Sequence, residues 1–221
     1  MKFVKYFLIF LLGVFIVGIV GYFFFKMKKE EKVVIPSPTP VASVVTKSNF
    51  SLTEAPSESL KGEITKMMGE VKILGRVATE ASVLAPTSTQ VQQGENYITG
   101  EGGSLSINFK NAVTMDLSEK TEVDIIQTLP ANIVFSQVAG MADYKIATES
   151  SVTIRTSYLL TELHGEANIS RDSDRQLVTV AIKSGNAIMA YNDKYYLIHK
   201  VVISEGQTYT FNYGKRTGVL K

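Results

Sequence analysis

Twenty consecutive residues, Tyr6 to Phe25, run without a charge, a proline, an asparagine or a glutamine. At 1.5 Å per residue such a run makes about 30 Å of helix, the hydrocarbon thickness of a bilayer. Tyr6 stands at one end and Tyr22 near the other, at the level where amphipathic rings favour the headgroups. A cleaved signal peptide has a shorter apolar region, about 7 to 15 residues, and ends in small residues. The bulky stretch from Tyr22 to Lys26 offers no such site. The run is therefore expected to be an uncleaved, single-pass transmembrane helix that engages the lipid bilayer through Tyr6–Phe25, preceded by a short cytoplasmic N-terminus, residues 1–5. Gly13, Gly18 and Gly21 form no G-x-x-x-G pair, so nothing in it argues for helix dimerisation.

Residues 26–60 change character twice. Lys26, Lys28, Lys29 and Lys32 make a basic juxtamembrane segment suited to anionic lipid. Pro36, Pro38, Pro40 and Pro56 then alternate with Ser and Thr, a composition that favours extended polyproline II at about 3.1 Å per residue. This is a linker, and residues 61–221 are the domain it carries. From Lys61 onward there are 16 Lys/Arg and 17 Asp/Glu, a net charge of −1, so the surplus of +2 in the whole chain lies beside the expected membrane. A near-neutral domain without a basic, aromatic-interleaved patch does not point to nucleic acid. The chain has no Cys, which excludes disulfides, thiolate metal sites and thiol catalysis.

In the domain the period is two. Leu105, Ile107 and Phe109 alternate with Ser104, Ser106 and Asn108, and Val113, Met115 and Leu117 alternate with Ala112, Thr114 and Asp116. Lys110-Asn111 between them reads as a two-residue hairpin spacer, Asn tolerating positive φ. Val152 to Thr156 and Val178 to Ile182 repeat the alternation, and short apolar runs follow at 133–138, 195–203 and 209–211. Short strands separated by glycine and asparagine turns, with no sustained helical period after Phe25, indicate an all-β domain.

The order of these pieces resembles the FecR-type domain over most of residues 62–212. Gly69 to Ile73 is similar to that family's early Gly-x-Val strand, and Gly94 to Gly100 to its Gly-Asp-x-Ile-x-Thr-Gly. The hairpin 104–117, the strand-ending Gly140, the strand–Gly–strand unit around Gly185 and the Gly206-Gln207 turn follow in the same order. The family's Asp-Gly hairpin is Lys110-Asn111 here, and its Gly-Thr is Gly165-Glu166. The resemblance implies a jelly-roll-like antiparallel β-sandwich outside the cytoplasmic membrane. Its best-known members regulate sigma factors through a cytoplasmic N-terminal domain. With five residues ahead of the span, that role is not carried over.

The histidines and carboxylates are the side chains on which chemistry could rest. His164 has Glu162 and Glu166 beside it, but no closing fourth ligand is nearby, and both His164 and His199 read as ordinary surface or strand-end histidines. Asp172 and Asp174 lie in a loop that lacks the glycine and glutamate framework of a calcium site and reads as a hairpin tip. Tyr191, Tyr195 and Tyr196 suit a sugar or a partner, yet cross-strand aromatic packing explains them more simply. No catalytic, cofactor-binding or metal-ligating residue is nominated. The expected function is a non-catalytic binding, assembly or envelope-signalling module whose partner is an envelope protein or polysaccharide. The alternative is an envelope-associated hydrolase acting on cell-surface glycans, which needs two carboxylates about 5 to 9 Å apart in a cleft.

Orientation is set by opposing signals. Lysine counts on the two sides of the span favour a cytoplasmic domain, whereas the Pro/Ser/Thr stalk and the family resemblance favour the outside. We expect the domain outside the cytoplasmic membrane. In a chain without native cysteine, Ser48→Cys is a clean reporter, and an impermeant maleimide should label it in intact cells. Labelling only after lysis would reverse the orientation.

Overall fold

The computed structural model describes residues 58–147 and 150–221. The expected membrane span, the basic segment and nearly all of the linker lie outside the described residues. Among the described residues there is no helix, and fifteen strands form one hydrogen-bonded sheet. In chain order, β1 (Gly62–Met68), β2 (Val71–Leu74), β3 (Ser82–Val83), β4 (Gln90–Val91) and β5 (Asn96–Thr99) come first. They lead to the hairpin of β6 (Ser104–Phe109) and β7 (Val113–Leu117). Next are β8 (Glu122–Leu129), the long β9 (Asn132–Ile146), the short β10 (Val152–Thr156), and two more long strands, β11 (Leu159–Asp172) and β12 (Leu177–Asn192). β13 (Ile198–Ser204), β14 (Thr208–Asn212) and β15 (Thr217–Leu220) complete the sheet.

The alternation read from the sequence sets the faces. Leu105, Ile107 and Phe109 are buried while Ser104, Ser106 and Asn108 are half-exposed, and β7 follows the same rule. The hairpin spacer is one residue longer than expected. Phe109 pairs with Val113, so Lys110, Asn111 and Ala112 all lie in the turn, closed by Ala112 N–H donating to the Phe109 carbonyl. Asn111 takes the positive φ, 61°. Ala112, expected at the start of the second strand, is instead a buried turn residue.

Three long strands bend the sheet onto itself. Up to Ala139, β9 pairs with β8 and β10; after Gly140 it pairs with β7 and β11. Gly140 has a φ of 77°, and a Cβ there would strike the Lys120 carbonyl and Thr121. β11 and β12 turn the same corner together at Gly165 and Gly185, which face each other in register with φ values of 110° and 79°. Only glycine takes these conformations at such backbone proximity without strain.

The result is two facing layers. One reads β3-β2-β5-β8-β9-β10-β11-β12-β13; the other reads β4-β1-β6-β7-β9-β11-β12-β14-β15. Their inner faces meet: Phe109 of β6 packs on Phe135 of β9 with centroids 5.5 Å apart, and Tyr191 of β12 on Phe211 of β14 at 4.7 Å.

One pair departs from the antiparallel expectation. Residues 133–136 of β9 run parallel to residues 152–155 of β10. A parallel pair needs a crossover, and here the second half of β9 supplies it by carrying the chain through the other layer and back beside its own first half. The sheet is mixed for that reason.

The β6 register can be tested at single-residue level. Ile107 is fully buried, whereas Ser106 looks outward between Lys66 and Asp116, neighbours of opposite charge. In a fragment beginning at Glu58, Ile107→Asp should cost about 3 kcal/mol or more through lost burial and a carboxyl placed in the apolar layer. Ser106→Asp should cost about 0.5 kcal/mol. Urea melts read the difference, and equal midpoints would overturn the register.

Candidate functional site

The turn joining β12 to β13 is built around one carboxylate. Asp193 Oδ1 accepts from the N–H groups of Tyr195 at 2.8 Å and Leu197 at 3.0 Å, while Asp193 Oδ2 lies 3.0 Å from His199 Nε2. The backbone adds Asp193 N–H to the Leu197 carbonyl and Tyr196 N–H to the Asp193 carbonyl. Tyr196 holds a φ of 65°, the left-handed conformation that lets the turn close. The His199 hydrogen bond first, and then the two backbone bonds, hold the Asp193 carboxyl below its ordinary range.

The brace is anchored below and beside. The His199 ring stacks on Tyr191 at 5.0 Å, and Tyr191 rests on buried Phe211. Arg216 donates from Nη1 to the Asp193 carbonyl and lies 4.2 Å over the Tyr158 ring, fastening β15 and the start of β11 to the same turn. What this framework displays is apolar. Tyr195, Tyr196, Leu197 and Ile198 are 70%, 78%, 61% and 79% exposed, and Val202 and Leu160 on the adjoining outer face extend them. Consecutive large apolar side chains held out by a braced turn form the kind of patch that marks an interaction surface.

The patch lies away from the point where the linker enters. Leu60 N–H donates to the Thr128 carbonyl, and Thr128 belongs to the cross-strand row Ile133, Val152, Leu163, Ala187, Ile203. The Tyr191–His199 row and the turn beyond it stand at the other end of that layer.

The structure sorts the sequence candidates. Tyr191 does pack across strands, as expected, but Tyr195 and Tyr196 do not; they are the exposed tip. The apolar run 195–203 is a strand only from Ile198. The signal was present in the sequence: four successive apolar residues, 195–198, cannot all face inward on a strand of period two. His199, read from the sequence as an ordinary surface or strand-end histidine, is the residue that braces Asp193.

His164 Nε2 lies 3.5 Å from Glu162, while Glu166 is drawn to Lys145 at 2.6 Å. Asp172 caps its own hairpin by accepting from Arg175 N–H. Glu122 and Asp124 both accept from Asn96 Nδ2, at 3.1 and 2.7 Å, side by side on β8. One shallow cavity lies at the β6–β7 turn, where Asn108 and Asn111 meet Lys145, and another at residues 59–61 with Arg76, Gln92 and Gln93; neither is lined by a histidine or a carboxylate.

The brace predicts a pH response of known sign. A carboxyl depressed in the folded state contributes order above its unfolded pKa, and that order is lost as pH falls through the folded value. Hydrogen exchange should therefore show Tyr195 and Leu197 amides protected at neutral pH and released only below the usual carboxylate value of 3.8. Asp193→Ala should speed their exchange at neutral pH roughly tenfold, with little change in the urea midpoint. Unchanged exchange would remove Asp193 from this role.

No protein-family model and no curated protein matches the chain. Its architecture does have solved counterparts: two crystal structures, at 1.65 and 2.50 Å, of a candidate anti-sigma factor from Parabacteroides distasonis. Each has a TM-score of 0.50 and 11% sequence identity, over 57% of this chain and 58% of that one. The match thus spans little more than half of either chain, and at this identity it is a likeness of fold.

Proposed function

We propose that this chain is a membrane-anchored, extracytoplasmic module of FecR type, with a jelly-roll-like sandwich, that binds an envelope partner and performs no catalysis. The observation that carries the proposal is the braced turn of Asp193, which holds Tyr195, Tyr196 and Leu197 out at the end of the domain away from the linker. A rigid apolar tip loses little conformational entropy on binding, which is what a recognition surface needs. Three glycines that carry the family resemblance, Gly140, Gly185 and Gly206, all have positive φ, and the first two form the corners of the sheet. The fold likeness to proteins described as anti-sigma factors favours a signalling role over a purely structural one. A glycan hydrolase needs carboxylates opposed across a cleft; Glu122 and Asp124 instead share one amide donor on one strand.

The test uses the full chain in its native membrane. Chemical cross-linking and purification of the unaltered chain should recover a defined set of species. The triple substitution Tyr195→Ser, Tyr196→Ser, Leu197→Ser should lose that set while the anchored protein remains at the same level. An identical set from both would overturn the tip as the binding surface.

A further inference from the structure

Four turns meet at the end of the domain that displays the tip: β10–β11, β11–β12, β12–β13 and β14–β15. Tyr213 fastens two of them, donating its N–H to the Gln176 carbonyl and its hydroxyl to the Ser173 carbonyl. Arg216 ties in the others through the Asp193 carbonyl and the Tyr158 ring. Around the exposed run from Tyr195 to Ile198, these turns gather Arg171, Arg175, Lys194, Lys215 and Arg216. The carboxylates on the same turns are Asp172, Asp174 and Asp193. Asp172 pairs with Arg175 at 3.6 Å, and Asp193 is taken by the brace.

The cations that remain are placed unusually. Among the described residues, Arg171, Lys194, Lys215 and Arg216 form no ion pair. Three of them lie on tyrosine faces instead: Arg216 on Tyr158 at 4.2 Å, Lys194 on Tyr195 at 5.0 Å and Arg171 on Tyr213 at 5.4 Å. A cation resting on a ring is positioned by the ring, yet keeps N–H groups free for an anion. The domain from Lys61 onward carries −1, so this cationic, tyrosine-rich end is a local arrangement.

We infer that the tip binds an anionic lipid surface, its apolar side chains entering the headgroup layer and its lysines and arginines resting on lipid phosphates. This rests on reading the β12–β13 turn as a binding surface, and it names what that surface binds. The mixture of side chains decides it. A polysaccharide stacks on tyrosine rings but offers Leu197 and Ile198 no apolar layer to enter. Protein interfaces are depleted of lysine, whereas here Lys194 adjoins the apolar run and leans on its first ring. A bilayer surface accepts both kinds of group. Tyrosine favours the headgroup level, aliphatic side chains reach below it, and long cationic stems extend back to the phosphates. Anionic lipid adds the attraction that uncompensated cations need.

The chain has no tryptophan, so Tyr195→Trp makes a single reporter at the tip that keeps an aromatic ring beside Lys194. The full chain carrying it is reconstituted into vesicles of equal parts phosphatidylglycerol and phosphatidylcholine with brominated acyl chains, and vesicles of the same composition are added. Emission should shift to the blue and be quenched by the bromines. In brominated phosphatidylcholine alone, or with Lys194→Glu and Lys215→Glu added, both effects should be lost; the two lysines are exposed, and their side chains make no contact in the brace. Val77→Trp, 98% exposed and next to Arg76 in the cavity beside Leu60, reports on the linker end and should stay unquenched. A tip tryptophan that is unquenched, quenched no more than Val77→Trp, or quenched equally in neutral lipid overturns the inference. If the tip is unquenched while the triple serine variant still loses its cross-linked species, the tip binds a protein or glycan instead of lipid. If that variant also keeps its species, the tip is no binding surface at all.

Discussion

Everything in this fold is joined at the corner in β9. Before Gly140 the strand belongs to one layer and after it to the other, and the backbone there needs a side chain to hold it. Gln137, fully buried, donates through Nε2 to the carbonyls of Gly140 and Ile169 and accepts from the Tyr144 hydroxyl. One amide thus satisfies carbonyls on two strands at the place where the ladder is interrupted. A buried polar group is stabilising only when its partners are complete. Burial pushes the Tyr144 hydroxyl up from its ordinary pKa, so it stays a protonated donor to Gln137. Gly165 and Gly185 repeat the corner in the neighbouring strands, which lets both layers bend along one line.

The polar outer faces show how the same sheet manages charge. Asp116 and Asp143 stand opposite each other on β7 and β9, an arrangement that repels. Lys183 reaches across to Asp143 at 2.6 Å and Asn168 donates to the same oxygen at 3.0 Å. The turn at Asp193 applies the same economy at the surface, with one carboxylate satisfying two amides and a histidine.

Much of the architecture was legible because strands of period two expose their pattern one residue at a time. Leu105 to Phe109 and Val178 to Ile182 show which side chains are inside without any knowledge of the partner strand. Gly140, Gly185 and Gly206 were legible as turns. That two of them bend continuous strands, rather than end them, was not: alternation runs on through a corner, so a strand that changes layer looks like any other. The parallel β9–β10 pair was hidden for the same reason. At the tip, Tyr195 and Tyr196 carry the composition of strand residues, and the instruction that turns them outward lies in Asp193 and His199, six residues apart and joined only in three dimensions.

The double membership of β9 also orders events in time. Ahead of it the chain alternates between two groups of strands, β1, β4, β6 and β7 in one and β2, β3, β5 and β8 in the other, with no ladder between them. Neither group has its central neighbour until Ile146 has been made, and neither layer is closed until β12 has followed. Contacts so distant in sequence give slow folding, because the loops must close before the contacts that stabilise them exist. A domain without cysteine cannot hold early pairings covalently. The strands from β1 to β8 therefore wait, as half-formed sheet, for a single strand to arrive and define both sides at once.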